Sequence, residues 1–513
     1  MKTESRTYNS IINSLFGIAA AIINIILNFI VRIFIVKALG DEINGLHNLF
    51  QNTINVMALM ETGICSAMII HLYKPVKEDN KAEIQALMSF YQKIYLAISI
   101  IFIVVGLIVD FFFLDKIITT TIKIREVRIY FFFFALSFFI NYLTYYKRSL
   151  LYAEQKNRIS VMATTVSEII FRTLAVVIAF LTREYFYFLL CIIAEKFFGN
   201  LICIIVVNKN HPYLRSLKGI KLEKEKQKAV FNTIKPLLVN QIASTVQKSA
   251  NSILISILLG SISIVGYYGN YQLVVNTVEL LFSQIGSAFT SSFGNLSTSG
   301  DKEKMYAVYS KLRFIIMALT IICMAGFLVC IQPFIEFFFS NTFVLSYRVV
   351  VILAISLIAY LLGIPAISVQ NAMGLHKKDA FLMIIQAISS VILGYILGKF
   401  WGMEGILIGL NIPTIIFTLF AKGLIINKVA FDKSNFSYLK TITIEILKCG
   451  IIIAVSVLIT MFFSTGILLL DILLRGGVSV ITSVALLTLF SIRNPYFKEL
   501  IGSIKRKIRK IWK

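Results

Sequence analysis

Fourteen runs of roughly 20 apolar residues succeed one another along this 513-residue chain, each long enough to cross the hydrocarbon core of a bilayer. Lipid offers a backbone no hydrogen-bond partners, so such runs must satisfy their own amides as helices. They cover approximately 11–37, 44–71, 93–113, 129–146, 159–181, 185–207, 230–259, 264–290, 312–335, 348–371, 381–399, 404–426, 448–466 and 474–492. The last two are the least sharply separated, because 466–475 is a weak break. Hydrophobic residues make up 58% of the chain and mean hydropathy is +0.83, too apolar for a soluble protein of this length. The expected fold is an all-α polytopic membrane protein of about 14 transmembrane helices.

An internal repeat narrows the architecture. The stretch from Gly45 to Met68 recurs without gaps from Gly266 to Phe289, at a constant offset of 221 residues. It pairs Gly45 with Gly266, Phe50 with Tyr271, Gln51 with Gln272 and Asn55 with Asn276. Leu39-Gly40 precedes the first copy as Leu259-Gly260 precedes the second, with one residue inserted. The copies lie six spans apart, an even number, so both run the same way through the membrane. Two pseudo-symmetric six-helix lobes around a central cavity, each placing amides inside lipid, describe a transporter. The expected divisions are an N-terminal lobe over 1–210, a cytoplasmic linker over 211–229 and a C-terminal lobe over 230–427. A helical hairpin over 428–493, without a partner in the repeat, and a basic amphipathic tail over 494–513 follow.

The formal net charge of +24 is distributed by membrane side. With the N-terminus inside, about 35 Lys and Arg fall in cytoplasmic segments and about nine in external ones, an asymmetry that orients spans. Both termini are then cytoplasmic. The basic loops lie beside spans, where anionic membrane lipids are the natural partners, and no nucleic acid is expected. The loop over 74–95 sets Ile84, Leu87, Met88 and Tyr91 on one helical face. The tail sets Phe497, Leu500, Ile501, Ile504 and Ile508 against Lys505, Arg506, Lys507 and Arg509, as an in-plane interfacial helix does. The six cysteines lie in or at the edges of spans without metal-ligand spacing, so they read as small buried hydrophobes. Neither a metal nor a cofactor is expected. The first run is longer than a signal-peptide core and reads as an uncleaved span.

Four spans carry polar stripes. In the first, Asn24, Asn28 and Arg32 recur every four residues. In the second, Asn48, Gln51, Asn52 and Asn55 share a face; in the seventh, Gln241, Ser244, Lys248, Asn251 and Ser252; in the eighth, Gln272, Asn276 and Glu279. After the one-residue insertion, Asn28 corresponds to Lys248. Amides in lipid also serve as interhelical glue worth about 0.6 kcal/mol each. A charge at the bilayer centre costs more, about 2.5–3.5 kcal/mol, and usually faces a cavity or a partner. Neither Arg32 nor Lys248 has an acid three or four residues away on its own helix. Matched stripes on the first pairs of the two halves are expected to converge on one chamber. Glu279 lies on its stripe and is the candidate for a coupling cation. Glu61 lies off its stripe and reads as structural, and Glu168 with Arg172 has the order of an intrahelical ion pair. Glu195-Lys196 is left open. Pro236, Pro365 and Pro413 interrupt spans as kinks or hinges, and two Gly-xxx-Gly pairs, 394/398 and 405/409, fit close helix packing.

Enzyme signatures are missing: there is no phosphate-binding Gly-x-x-x-x-Gly-Lys-Ser/Thr, no His-Glu-x-x-His and no Gly-x-Ser-x-Gly. External loops are short, so no catalytic role is expected.

The block Gly45-Leu-His-Asn-Leu-Phe-Gln-Asn, followed by Glu61-Thr-Gly-Ile-Cys-Ser-Ala-Met and by Leu72-Tyr-Lys-Pro, resembles the polysaccharide flippases. So does Asn371-Ala-Met-Gly-Leu-His-Lys-Lys-Asp. These form the Wzx-like branch of the multidrug/oligosaccharidyl-lipid/polysaccharide exporter superfamily. The resemblance implies two six-helix lobes around a cationic cavity, with alternating access. It also implies transfer of undecaprenyl-diphosphate-linked oligosaccharide units from the inner to the outer leaflet of a bacterial cytoplasmic membrane, for capsule, O-antigen or exopolysaccharide assembly. Polysaccharide polymerase and glycosyltransferases are the protein partners it implies. By position Arg32 and Lys248 match the cavity cations, while Asn, Gln and Ser suit sugar hydroxyls. Competing readings are a cation-coupled drug or small-solute exporter of the same superfamily, a membrane enzyme of glycan assembly, and a non-transporting scaffold.

Overall fold

The structure is a computed structural model that describes residues 6–57, 59–217, 219–499 and 502. Side chains are described for all of these except 6–15, 57, 59–63, 66, 235–244, 247, 248, 291, 295, 298, 299 and 376–380. Among the described residues every long element is a helix and no strand occurs. The order begins α1 (Arg6–Leu39), α2 (Asp41–Met57), α3 (Leu59–Lys77), α4 (Lys81–Phe112), α5 (Leu114–Ile117), α6 (Ile124–Ala153), α7 (Asn157–Thr182) and α8 (Tyr185–Asn210). It continues with α9 (Lys224–Leu259), α10 (Ile262–Ser299), α11 (Lys302–Phe338), α12 (Tyr347–Met373), α13 (His376–Thr414), α14 (Lys422–Phe431), α15 (Asn435–Thr460) and α16 (Leu468–Ser491). Eleven described stretches are long and apolar enough to cross a membrane. The chain is an all-α polytopic membrane protein.

Each expected run falls on helix to within a residue, except that the thirteenth, 448–466, runs past the end of α15 at Thr460. The candidate span Phe381–Phe431 contains two runs, because α13 breaks at Trp401 and at Gly402, where φ is 57° and ψ −134°. The hairpin so formed packs at its glycines: a Cβ on Gly409 would lie 2.4 Å from the Gly394 backbone nitrogen. The second run is divided between α2 and α3. The seventh lies on α9, which Asn240, Gln241, Gln247, Lys248 and Asn251 make more polar than its neighbours. Pro365 sits inside α12 without breaking it, whereas Pro413 directly precedes a π-helical turn at Ile415–Ala421. A residue without an amide proton frees carbonyls, and a wider turn can re-satisfy them. Pro236 and Glu61 fall where side chains lie outside those described.

The chain forms two compact units, Met1–Gly269 and Asn270–Lys513. In the first, α1 packs on α7, α7 on α8, α8 on α6 and α6 on α4, while α2 and α3 pack on α9. The outer face of α1 is an isoleucine ladder, Ile18, Ile22, Ile26 and Ile30, all exposed as a lipid-facing stripe must be. Its polar stripe is turned roughly 200–280° away from Ile22 at 100° per residue. Ile84, Leu87, Met88 and Tyr91 are buried together, as the amphipathic loop pattern predicts, and Asn80 caps that helix by accepting from the Glu83 amide at 3.1 Å.

In the second unit α11 is the hub, packing on α12, α15 and α16. It is accordingly buried nearly all round, at Leu312, Ile316, Met317, Ile321 and Met324. The thirteenth run starts earlier than its apolar core suggests. Ser434 caps α15 by accepting from the Ser437 amide at 3.2 Å, so the helix includes Lys440, Glu445 and Lys448. Of the tail, Phe497 is buried, with its ring 6.2 Å from that of Phe314. Residues 500, 501 and 503–513, which carry the rest of the expected interfacial helix, lie outside the described residues.

Candidate functional site

Arg32, on α1, is a buried cation, 9% exposed. The four-residue spacing with Asn28 and Asn24 places it on the helix face turned from lipid. Its Nη2 donates to Asn48 Oδ1 at 3.2 Å, and Asn48 Nδ2 donates in turn to the Val265 carbonyl at 3.1 Å. Gly269 is packed against this pair so closely that a Cβ there would lie 2.5 Å from Arg32 Nη2. Arg32 forms no ion pair among the described residues. A buried guanidinium held only by an amide keeps its charge available to an anion.

Behind it lies a charge network spanning α7 and α8. Arg172 forms a fork to Glu195, with Nε to Oε2 at 2.9 Å and Nη2 to Oε1 at 3.4 Å. Lys196 adds a second cation to Glu195 at 2.8 Å, and Glu168 lies 3.5 Å from Arg172, one turn earlier on its helix. The remaining Arg172 donor, Nη1, bonds Asn28 Oδ1 at 2.7 Å. The quartet is self-neutralising: two cations, Arg172 and Lys196, against two acids, Glu168 and Glu195. Adding Arg32 leaves one net positive charge. Asn141, Arg148 and Thr164 join Glu168, Glu195 and Lys196 around a cavity of about 200 Å³.

The repeat is visible as geometry. Leu39-Gly40 and Leu259-Gly260 both end a helix on a left-handed glycine, with φ of 88° and 59°. Gln51 Nε2 donates to Asn55 Oδ1 at 3.2 Å, and Gln272 Nε2 donates to Asn276 Oδ1 at 2.9 Å, the same intrahelical bond in both copies. The starting glycines of the two copies touch. A Cβ on Gly45 would meet the Ile262 carbonyl oxygen at 2.0 Å, and one on Gly266 would meet the Gly45 nitrogen at 2.9 Å. Around them Asn44 Nδ2 donates to the Gly266 carbonyl at 3.2 Å, and Tyr267 Oη donates to Asp41 Oδ2 at 2.9 Å. Glu42 accepts from the Thr121 amide at 3.0 Å and from the Thr120 hydroxyl.

Of the residues singled out from sequence, Arg32 is linked to Asn48, and Asn52 Nδ2 donates to the Asn48 carbonyl at 2.9 Å and to Ser252 Oγ at 2.9 Å, whereas Asn28 bonds Arg172 and Gln51 pairs with Asn55. Asn24 Oδ1 is buried and has no hydrogen-bond partner among the described residues. Gln272, Asn276 and Glu279 belong to the second unit. The side chains of Gln241, Ser244 and Lys248 lie outside those described. Glu168 and Arg172 do form the intrahelical pair, but Arg172 makes its closer ion contact with Glu195 on the next helix. The sequence leaves Glu195-Lys196 open because partners 23 residues apart carry no spacing signature. The paired basic residues Lys147 and Arg148 pass unnoticed at a span end, yet both are buried, Lys147 against Asn208 and Arg148 over the Tyr145 ring at 4.9 Å.

The sequence profile of the family described as "Polysaccharide biosynthesis protein" matches residues 45–348. No curated protein matches the sequence. Among solved structures, the lipid II flippase MurJ in an inward closed conformation aligns at TM-score 0.63 and 15% identity, covering 94% of this chain and 99% of that one. An inward-facing multidrug resistance MATE transporter of the MOP superfamily aligns at 0.58 and 15% identity, over 76% of this chain and 91% of that one. The Vibrio cholerae MATE transporter VcmN aligns at 0.56 and 15% identity, over 84% of this chain and all of that one (100%). At these identities the likeness is one of fold.

Proposed function

We propose that this chain, which belongs to the polysaccharide biosynthesis protein family, is a flippase for undecaprenyl-diphosphate-linked oligosaccharide. It would carry these units from the inner to the outer leaflet of a bacterial cytoplasmic membrane. The observation that carries this reading is Arg32: a buried cation with no acid in an ion pair among the described residues, flanked by amides. A diphosphate bears about two negative charges and needs such a cation once it leaves water. The amides of the stripes suit the sugar hydroxyls. Asn24, Asn28, Gln51, Asn55, Gln241, Ser244, Gln272 and Asn276 are the proposed sugar contacts, and Lys248 the second headgroup cation. The polyprenyl tail remains in lipid throughout.

Transport by alternating access requires an end that opens. With the N-terminus placed inside, the contact of Gly45 with Gly266 and its surrounding hydrogen bonds lie at the external end. That seam is closed here, and in this reading it parts to release the substrate outward. An inside-negative potential drives the anion outward with about 2.3 kcal/mol per charge per 100 mV. Glu279 is the proposed site of a coupling cation, and a polymerase and glycosyltransferases are the proposed neighbours in assembly. A drug exporter of the same superfamily would favour an unneutralised acid for a cationic solute. In the first unit Glu168 and Glu195 are both neutralised by bases. The test is reconstitution into vesicles with a fluorescent lipid-linked oligosaccharide whose outer-leaflet fraction is read by a membrane-impermeant quencher. Wild-type chain should equilibrate the label between leaflets; vesicles no faster than protein-free controls would reject the reading.

A further inference from the structure

The C-terminal hairpin builds a second charged site, remote in sequence from the stripes. Within the second unit, α11, α15 and the chain leaving α16 enclose a cleft of about 270 Å³ empty of side chains. It is a constructed site rather than a gap. Lys311 on α11 pairs with Glu499 beyond α16 at 2.5 Å, and the Phe314–Phe497 ring contact packs beside that pair. Tyr496 is thereby held as the third wall.

The charges in the cleft do not cancel. Arg313 donates to Glu445 at 2.8 Å, and both side chains are largely buried, so this pair is internally neutral. Arg313 is further fixed over the rings of Tyr309 and Tyr438, at 5.6 and 5.3 Å. Lys440 and Lys448 also line the cleft and form no ion pair among the described residues. They lie on one face of α15, about 12 Å apart along its axis, with Glu445 between them. Two flexible ammonium groups can therefore close on one anion from either end. Ser310 supplies a hydroxyl donor in the same cleft, which Thr441, its own hydroxyl donating to the Ser437 carbonyl at 2.8 Å, also lines.

The apolar side of the cleft argues for the kind of anion. Ile444 lines it and is 43% exposed, and the ridge continues along α15 through Leu447 and Ile451, 58% and 51% exposed. An acyl chain could follow that ridge while its headgroup sits among the lysines. By the loop-charge asymmetry, the first turns of α11 and α15 and the end of α16 face the cytoplasm, where basic pockets between membrane helices attract anionic headgroups. We propose that this cleft binds the phosphodiester headgroup of an anionic glycerophospholipid of the inner leaflet. Lys440 and Lys448 contact the phosphate, and the Arg313–Glu445 pair positions α15 against α11. This is a resident lipid site, separate from the transported substrate.

Native mass spectrometry of the purified full chain, titrated with phosphatidylglycerol or phosphatidylcholine in detergent, tests it without any flipping readout. One phosphatidylglycerol per chain should bind in preference to phosphatidylcholine. The double variant Lys440→Gln/Lys448→Gln should bind it about tenfold or more weakly, and Lys440→Arg/Lys448→Arg should retain it. Equal binding of the two lipids, equal binding by wild type and the glutamine variant, or loss in the arginine variant too, would overturn the assignment. Titration with soluble glycerol phosphate separates the two sources of phosphate. Binding as tight as that of the lipid would show a water-soluble ligand and overturn the lipid reading.

Discussion

Gly45 and Gly266, equivalent positions of an internal repeat, lie against each other: a Cβ added to Gly266 would come within 2.9 Å of the Gly45 amide nitrogen. The repeat thus marks the two helix starts that meet at one closely packed end. Neither position has room for a methyl group, because the nearest atoms are backbone and cannot rotate away.

Gly45→Ala should therefore destabilise the protein by about 1–3 kcal/mol or more, as overpacking does. Gly266→Ala, whose Cβ would meet less severe contacts, should cost less. Gly17→Ala is the control. Nothing lies within 4 Å of its added Cβ, and helix propensity favours alanine there by about 0.8–1.0 kcal/mol. Thermal unfolding in detergent orders the three; a Gly45→Ala melting point at or above wild type would refute the close contact.

Removing Arg172 alone should be worse than removing Arg172 together with Glu195. Arg172→Ala strands Glu195, which is 2% exposed, beside Lys196 alone. Breaking one partner of a buried pair costs about 3–5 kcal/mol, whereas replacing both by apolar residues is often nearly neutral. The double variant Arg172→Met/Glu195→Met should accordingly melt above Arg172→Ala. The reverse order would mean that Arg172 and Glu195 do not act as a coupled pair.

Outside the spans, Glu154 gives a pH dependence with a definite sign. Burial raises its carboxyl pKa, but His211, 2.7 Å away, and Lys156, 3.1 Å away, outweigh this and hold it below the ordinary carboxylate value. A carboxyl depressed on folding adds stability above its unfolded pKa of about 4.5 and loses it as pH falls through the lower folded value. Wild-type stability should fall more steeply than that of Glu154→Gln as pH is lowered below about 4.5. Parallel melting curves for the two proteins across that range would contradict the pairing.

Much of this architecture is legible in the sequence because lipid imposes one rule on every span. Apolar runs locate the helices, the 221-residue offset locates the paired Gln–Asn bonds, and the one-residue insertion brings the left-handed turns at Gly40 and Gly260 into register. What the pattern misses is tertiary pairing. Asn28 reads as a cavity amide on its own helix, yet its carbonyl oxygen is taken by Arg172, 144 residues later. Lys440 and Glu445 precede the apolar run that opens at Lys448, yet a serine cap draws all three into one helix and a buried arginine accounts for Glu445. Periodicity reports which face a residue occupies, not which helix that face meets.

Leaflet-resolved flipping by an Arg32 series tests the proposed function most directly. Wild type, Arg32→Lys and Arg32→Gln would be compared in vesicles carrying either a diphosphate-linked oligosaccharide lipid or an uncharged glycolipid of the same sugar. Losing a charge-assisted contact of about 1.5–3 kcal/mol should slow the diphosphate substrate about 10–100-fold in Arg32→Gln and less in Arg32→Lys. The uncharged glycolipid should respond little to either change. Undiminished diphosphate flipping by Arg32→Gln would contradict the assignment of Arg32 to the headgroup.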